Sequence, residues 1–237
     1  MIIKKIFKTC QGISYEPGYQ TNWYPMDTLE LFQQNQKNNP KAMAQWQKDS
    51  ITYKLNHYGF RTELDFDDYV AETNTWIVLG CSHSFGIGLP YDKTYVYLLE
   101  QHFKNRIINL SVPAGSIDSC YRVCKAWFNK IRPNKVIIQV PEKSRREFLF
   151  ENRLLQLAVW DKEFIKFRTQ VQEDVNDDFH QVKVLDAIKH VIGQTDCVIF
   201  NYELWGGKDK ARDLTHAGVK SNYEVFEYVK KIIDQNP

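Results

Sequence analysis

The sequence predicts an α/β protein, a three-layer sandwich with a central, mainly parallel sheet of about five strands. Three observations point there. From Tyr53 onward, short apolar runs with β-branched residues alternate with stretches of helical periodicity. The runs are apolar on both faces, as strands covered by helices on either side must be. A chain of 237 residues, 43% apolar and 25% charged, has enough core-forming residues for a domain of that size.

Residues 1–50 differ from the rest. They hold Tyr15-Glu16-Pro17-Gly18-Tyr19 and a Gln/Asn-rich stretch from Gln33 to Asn39. Short helices are expected around Asp27–Gln36 and Pro40–Lys48, and the segment as a whole reads as an extension packed on a main domain of residues 51–237. The expected strands of that domain are Trp76–Leu79, Arg106–Leu110, Lys135–Val140 and Cys197–Asn201. Between them, Asp92 is expected to open a helix with Tyr95, Leu98, Leu99, His102 and Phe103 on one face. Ser116 is expected to cap the next, where Ile117, Cys120, Tyr121, Cys124, Trp127, Phe128 and Ile131 share a stripe. A helix near Val182–Ile192 precedes the Cys197 strand. The last spans Val219–Asp234, with Tyr223, Phe226, Val229 and Ile233 inward. An insertion at about 148–179 breaks the rhythm: an apolar-aromatic stretch from Leu154 to Phe167, then the acidic run 173–178, which reads as a solvated loop.

Net charge is +2, with both signs interspersed, and no basic stripe suits a nucleic acid. Lys143-Ser144-Arg145-Arg146 and Lys208-Asp209-Lys210 read as solvated surface. The lysine-broken N-terminus fits neither a signal peptide nor a membrane span, so a cytoplasmic setting is expected. Five scattered cysteines suggest no disulfide framework.

In an open parallel sheet, ligands bind beyond the carboxyl ends of the strands. Three segments there carry chemistry. Gly80-Cys81-Ser82-His83-Ser84-Phe85-Gly86 follows a strand, and a serine on such a sharp turn is exposed. Asn109-Leu110-Ser111-Val112-Pro113-Ala114-Gly115-Ser116 sets an unhindered glycine N–H before a helix. Asp213-Leu214-Thr215-His216 offers a base for a hydroxyl nucleophile, with a carboxylate to orient it. Each segment alone also reads as an ordinary turn or helix cap. Two rivals share these residues: Cys81 as a thiol nucleophile, and Cys120 with Cys124 and His83 as metal ligands, although both helical cysteines sit on an apolar stripe.

Together the segments resemble the SGNH (GDSL-like) hydrolase blocks: Gly-Asp-Ser with a spaced glycine, a glycine in an Asn-led loop, and Asp-x-x-His. Asn56-His57-Tyr58-Gly59-Phe60-Arg61 is similar to the lead-in of some members, and the Gly-Cys-Ser-His-Ser-Phe-Gly variant is similar to bacteriophage and marine-microbial sequences. The resemblance covers about residues 53–235 and implies a flavodoxin-like sandwich. It also implies Ser82 as nucleophile, His216 as general base, Asp213 as its partner, and the N–H groups of Ser82 and Gly115 as the oxyanion hole. It calls for neither a metal nor an organic cofactor. The implied function is hydrolysis of a small acyl ester, such as acetyl on a carbohydrate or other small molecule, with no nucleic-acid or membrane partner. Acyl transfer by the same triad is one alternative; a non-catalytic, phage-associated binding or structural module is the other. Two departures stand out. Cys81 replaces the aspartate before the serine, and Pro141-Glu142-Lys143-Ser144-Arg145 lacks the family's oxyanion asparagine. Ser144 and Arg145 are the candidate replacements, and His83 a candidate pocket wall.

Overall fold

The computed structural model describes residues 2–67, 69–158, 162, 174–201 and 209–235. In chain order these form α1 (Ile2–Lys8), β1 (Tyr19–Thr21), α2 (Leu29–Asn38), α3 (Pro40–Met43), β2 (Tyr53–Leu55), β3 (Thr75–Leu79), α4 (Ser82–Phe85), α5 (Tyr95–Phe103), β4 (Arg106–Asn109), α6 (Ile117–Ile131), β5 (Lys135–Val140), β6 (Arg146–Phe150), β7 (Arg153–Leu157), α7 (Asp174–Ile192), β8 (Asp196–Asn201) and α8 (Val219–Gln235).

The central sheet is wholly parallel, in the order β4-β3-β5-β8. Among the described residues it has four strands rather than about five. The remaining short strands pair in two antiparallel ribbons, β1 with β2 and β6 with β7. Side chains alternate along the strands, so each strand feeds both faces. Ile77, Leu79, Val136 and Ile138 pack with α6 and α7; Trp76, Val78, Ile137 and Val198 pack with α5 and α8. Those are the three layers. Each such side chain, once buried, contributes about 1.5–3 kcal/mol.

Helix ends follow local chemistry. Ser116 and Ser119 form a reciprocal capping box on α6. Thr94, not Asp92, caps α5: its hydroxyl accepts the Tyr97 N–H, and residues Tyr91–Lys93 form a 3-10 turn ahead of it. His102 lies exposed on that helix. Thr28 caps α2 by accepting the Leu31 N–H, and α3 stops at Met43 before Trp46 turns into the core. On α8, Tyr223 faces solvent and Asn222 takes the inward place. Its amide oxygen accepts the Tyr95 N–H and its nitrogen donates to the Gly218 carbonyl, a pairing that hydrophobic spacing cannot reveal.

Two surface expectations are overturned. Ser144, Arg145 and Arg146 are buried, and Arg146 reaches the buried Asp177 carboxylate at 2.6 Å. Asp177 belongs to the first turns of α7, so residues 174–178 of the acidic run are helix rather than loop. An Arg–Asp pair satisfies both charges, which is why neither needs water. The β6–β7 ribbon spans 146–157 and so includes the start of the insertion; 159–161 and 163–173, with most of the expected apolar-aromatic stretch and Glu173, lie outside the described residues, as does Lys208.

The N-terminal segment touches the sandwich through directed bonds. Trp127 Nε1 donates to the Lys8 carbonyl at 2.8 Å, and Arg122 donates to the Ile6 and Thr9 carbonyls. Tyr24, Phe32, Met43 and Trp46 form one core with Tyr53, Phe85, Ile87 and Leu89.

Candidate active site

The connection after β3 returns to β4 through α5 on one face, and the connection after β5 leads to β8 through α7 on the other. The carboxyl ends of β3 and β5 therefore flank the topological switch point, where open parallel sheets leave a crevice. Ser82 follows β3 and the Pro141–Arg145 turn follows β5.

Gly80 leads into the nucleophile turn. A Cβ there would sit 2.6 Å from Ser84 Oγ and 2.9 Å from Gln139 Oε1, so no side chain fits. Cys81 is the extended N-cap and Ser82 the first residue of α4, whose backbone N–H has no acceptor within the helix. Gln139 supports the turn from below, its Oε1 accepting from Cys81 N, Cys81 Sγ and Ser84 Oγ. The Cys81 thiol is thus buried and directed at Gln139, away from the position a nucleophile needs.

The acid–base limb precedes α8. His216 Nδ1 lies 2.5 Å from Asp213 Oδ2, and Asp213 Oδ1 accepts the backbone N–H groups of Thr215 and His216. Leu214 adopts a left-handed φ of 57°, which closes this turn. Ser82, Asp213 and His216 are 8%, 3% and 6% exposed, so the serine expected to stand exposed on its turn is instead buried. The two limbs meet at Gly88: its carbonyl accepts the Arg212 N–H at 2.9 Å, and a Cβ on it would approach Asp213 Oδ1 to 3.1 Å. The His83 ring meets the His216 ring edge-on at 4.9 Å. Among the described residues no hydrogen bond joins Ser82 Oγ to His216; the neighbouring His83 makes the contact.

Burial, then the charges of His216, Arg145 and Lys210, hold His83 well below its ordinary pKa of 6.5. A folded state that refuses a proton which the unfolded chain accepts loses stability as pH falls below about 6.5. The unfolding free energy should therefore drop by up to about 1.4 kcal/mol per pH unit in that range through His83 alone. Urea titrations of the wild type and His83→Gln from pH 7 to 5 check this; equal slopes would exclude it.

The expected oxyanion groups fare differently. The Gly115 N–H donates to the Val112 carbonyl at 2.8 Å inside its own turn. Ser144 directs both its hydroxyl and its N–H at the Glu142 carboxylate. Arg145 is buried, donates to the Gly115 carbonyl at 3.4 Å, and lies near enough to bear on His83. Cys120 and Cys124 lie on the buried face of α6, in the core, and burial pushes the Cys124 thiol up to about 12. Among the described residues no cluster of three metal-ligating side chains occurs, and no helix is long and apolar enough to cross a membrane.

A cleft of about 680 Å³ opens elsewhere, at the β4 edge, and contains none of the three predicted residues. Two of its cations are paired, Lys54 with Glu63 and Arg106 with Glu72. Size alone does not make it the site of chemistry.

Sequence reasoning missed Gln139, Arg212 and Asp27, and quoted Arg61 only within the lead-in motif, without a role. A lone amide in the buried run Val136–Val140 was the available signal for Gln139. Arg61 donates to the carbonyls of Phe85, Gly86 and Leu89 and so holds the stretch that follows Ser82.

Neither protein-family models nor curated proteins yield a match to this chain. Solved structures do. TesA is similar over 67% of this chain and 97% of its own, at 15% identity and a TM-score of 0.40. A Desulfitobacterium hafniense protein assigned to the lipolytic G-D-S-L family is similar over 68% and 99%, at 11% identity and a TM-score of 0.38. An acetyl xylan esterase from Butyrivibrio proteoclasticus is similar over 70% and 65%, at 10% identity and a TM-score of 0.41. The fold rests on the sheet order and layers above, and the site on its own geometry.

Proposed function

We propose that the protein is an SGNH-type esterase that hydrolyses a small acyl ester through a Ser82 acyl-enzyme. The observation that carries this reading is the buried Asp213–His216 pair, laid by Gly88 against the turn that presents Ser82. Asp213 holds Nδ1, which leaves Nε2 to take a proton from the serine hydroxyl. Ser82 Oγ then bonds to the acyl carbon while His216 becomes imidazolium, stabilised by Asp213. The tetrahedral oxyanion collapses, and the leaving alcohol takes the proton from Nε2. Water, deprotonated by the same nitrogen, attacks the acyl-enzyme and releases the carboxylic acid with Ser82 restored. The Ser82 N–H and the Arg145 guanidinium are the oxyanion donors in this scheme; the cation takes the place of the missing asparagine. The Gly115 N–H joins them only if its turn lets go of Val112. A recess that leaves Ser82 8% exposed suits an acyl group as small as acetyl.

A fluorophosphonate probe tests the reading: the wild type should be tagged at Ser82 and should turn over a short-chain aryl ester. Folded protein left untagged at high probe concentration would favour the second reading, a non-catalytic binding module, to which the engaged Gly115 N–H lends support. Arg145→Ala should lower kcat about a hundredfold with little change in KM, the usual size of effect for one oxyanion donor. A change in KM alone would assign Arg145 to substrate binding instead.

A further inference from the structure

We propose that Asp27 and Tyr53, from the N-terminal side of the chain, form with Arg212 a buried clamp that positions the Asp213–His216 pair against the Ser82 turn. The proposal rests on the esterase reading for its kinetic consequence, though not for its geometry.

Arg212 and Tyr53 are wholly buried and Asp27 is 1% exposed. Arg212 Nε and Nη2 donate to the two oxygens of Asp27 at 3.0 and 2.8 Å. Its remaining donors reach the Lys48 carbonyl at 2.8 Å and the Asn22 carbonyl at 2.6 Å, and the Trp23 ring covers the guanidinium at 4.2 Å. The fork of this side chain is therefore fixed in direction as well as place. Arg212 immediately precedes Asp213, so fixing it fixes the start of the acid–base turn. Asn35 Nδ2 adds a bond to the Asp213 carbonyl at 3.3 Å.

The same assembly holds the nucleophile limb. The Tyr53 hydroxyl donates to Asp27 Oδ2 at 2.5 Å and accepts the Gly88 N–H at 2.8 Å. The Gly88 carbonyl accepts the Arg212 N–H. Both polar groups of Gly88, six residues beyond Ser82, are thus tied to the clamp. The Arg61 guanidinium, which holds the Phe85 and Gly86 carbonyls, lies over the Tyr53 ring at 4.5 Å. Apolar side chains could fill this volume at equal or better stability, since a buried ion pair roughly breaks even against them. What apolar packing lacks is direction. Relative placement of two limbs within about an ångström is worth around a hundredfold in rate.

Asp27, Tyr53 and Arg212 are positioning residues, and the test must separate positioning from folding. In the full-length chain, Tyr53→Phe removes one hydroxyl and Asp27→Asn keeps the shape while weakening the fork. Trp127→Phe serves as control: it deletes the bond from Trp127 Nε1 to the Lys8 carbonyl, which ties the same N-terminal side to α6. We expect Tyr53→Phe and Asp27→Asn to lower kcat for 4-nitrophenyl acetate by about ten- to a hundredfold at nearly constant KM, and Trp127→Phe to leave kcat unchanged. A 15N-histidine spectrum reads the clamp without activity. His216 should be fixed as the Nδ1–H tautomer in the wild type and in Trp127→Phe, and should shift toward Nε2–H in the two clamp variants. Wild-type kcat and tautomer in both clamp variants would overturn the proposal while leaving the esterase reading untouched. An inactive, untagged wild type whose His216 tautomer still shifts in Tyr53→Phe would remove the esterase reading and support the clamp.

Discussion

Replacing Ser82 by alanine is expected to lower kcat on a short-chain aryl ester by about ten-thousandfold or more and to abolish fluorophosphonate tagging. The magnitude follows from what the hydroxyl does. Without it no acyl-enzyme forms, and the imidazole can at best direct water at a carbonyl held by whatever oxyanion donors remain. Members of a triad act as a unit, so deleting the nucleophile removes most of what the unit provides. The expected cost in stability is small, because Ser82 Oγ is absent from the hydrogen-bond network that Gln139, Cys81 and Ser84 form beneath it. Steady-state rates and a thermal melt on the same preparation check both halves. An active, tagged Ser82→Ala protein would move the nucleophile elsewhere and return Cys81 to consideration.

The largest expected stability effect lies away from the chemistry. Asp27→Ala should destabilise the protein by about 3–5 kcal/mol, because it strands the Arg212 guanidinium in the core with two of its donors unpaired. Against a typical total of about 5–15 kcal/mol, that approaches unfolding at ordinary temperature. The double variant Asp27→Ala/Arg212→Met should recover most of the urea midpoint, since no uncompensated charge remains and the methionine fills the space. It should not recover kcat. If the single variant unfolds at the wild-type midpoint, the pair is not the anchor that its geometry indicates.

The difference between these two residues shows how far the sequence could be read. The Ser82 turn was legible because strand, glycine and serine fall within a few positions, but the exposure expected of its side chain was not, since the surrounding elements leave it 8% exposed. Asp213 and His216 were legible for the same reason: three residues apart, they share one turn. Asp27 and Arg212 are 185 residues apart, and nothing in either neighbourhood names the other. Arg145 and Arg146 looked like solvated surface because charge in a short polar run usually is. Only the approach of α7, with Asp177, and of the Gly115 turn makes burial affordable for them. Tyr223 and Asn222 exchanged faces because one amide caps α5, a pairing made across the fold.

By itself, the sequence determined the alternation of strand and helix, most of the buried faces of the central strands and where the three candidate turns fall, because each depends on residues within one or two turns of each other. Tertiary structure alone decided the long-range pairings. It brought Arg145 inward against the Gly115 carbonyl and set the Asp27–Arg212 clamp beside the acid–base turn, whereas Gly115 N–H and Ser144 are taken up by partners two or three residues away in their own loops. The physical reason is that burial and hydrogen-bond partnership are properties of neighbours in space, and those neighbours come from strands and helices far apart along the chain.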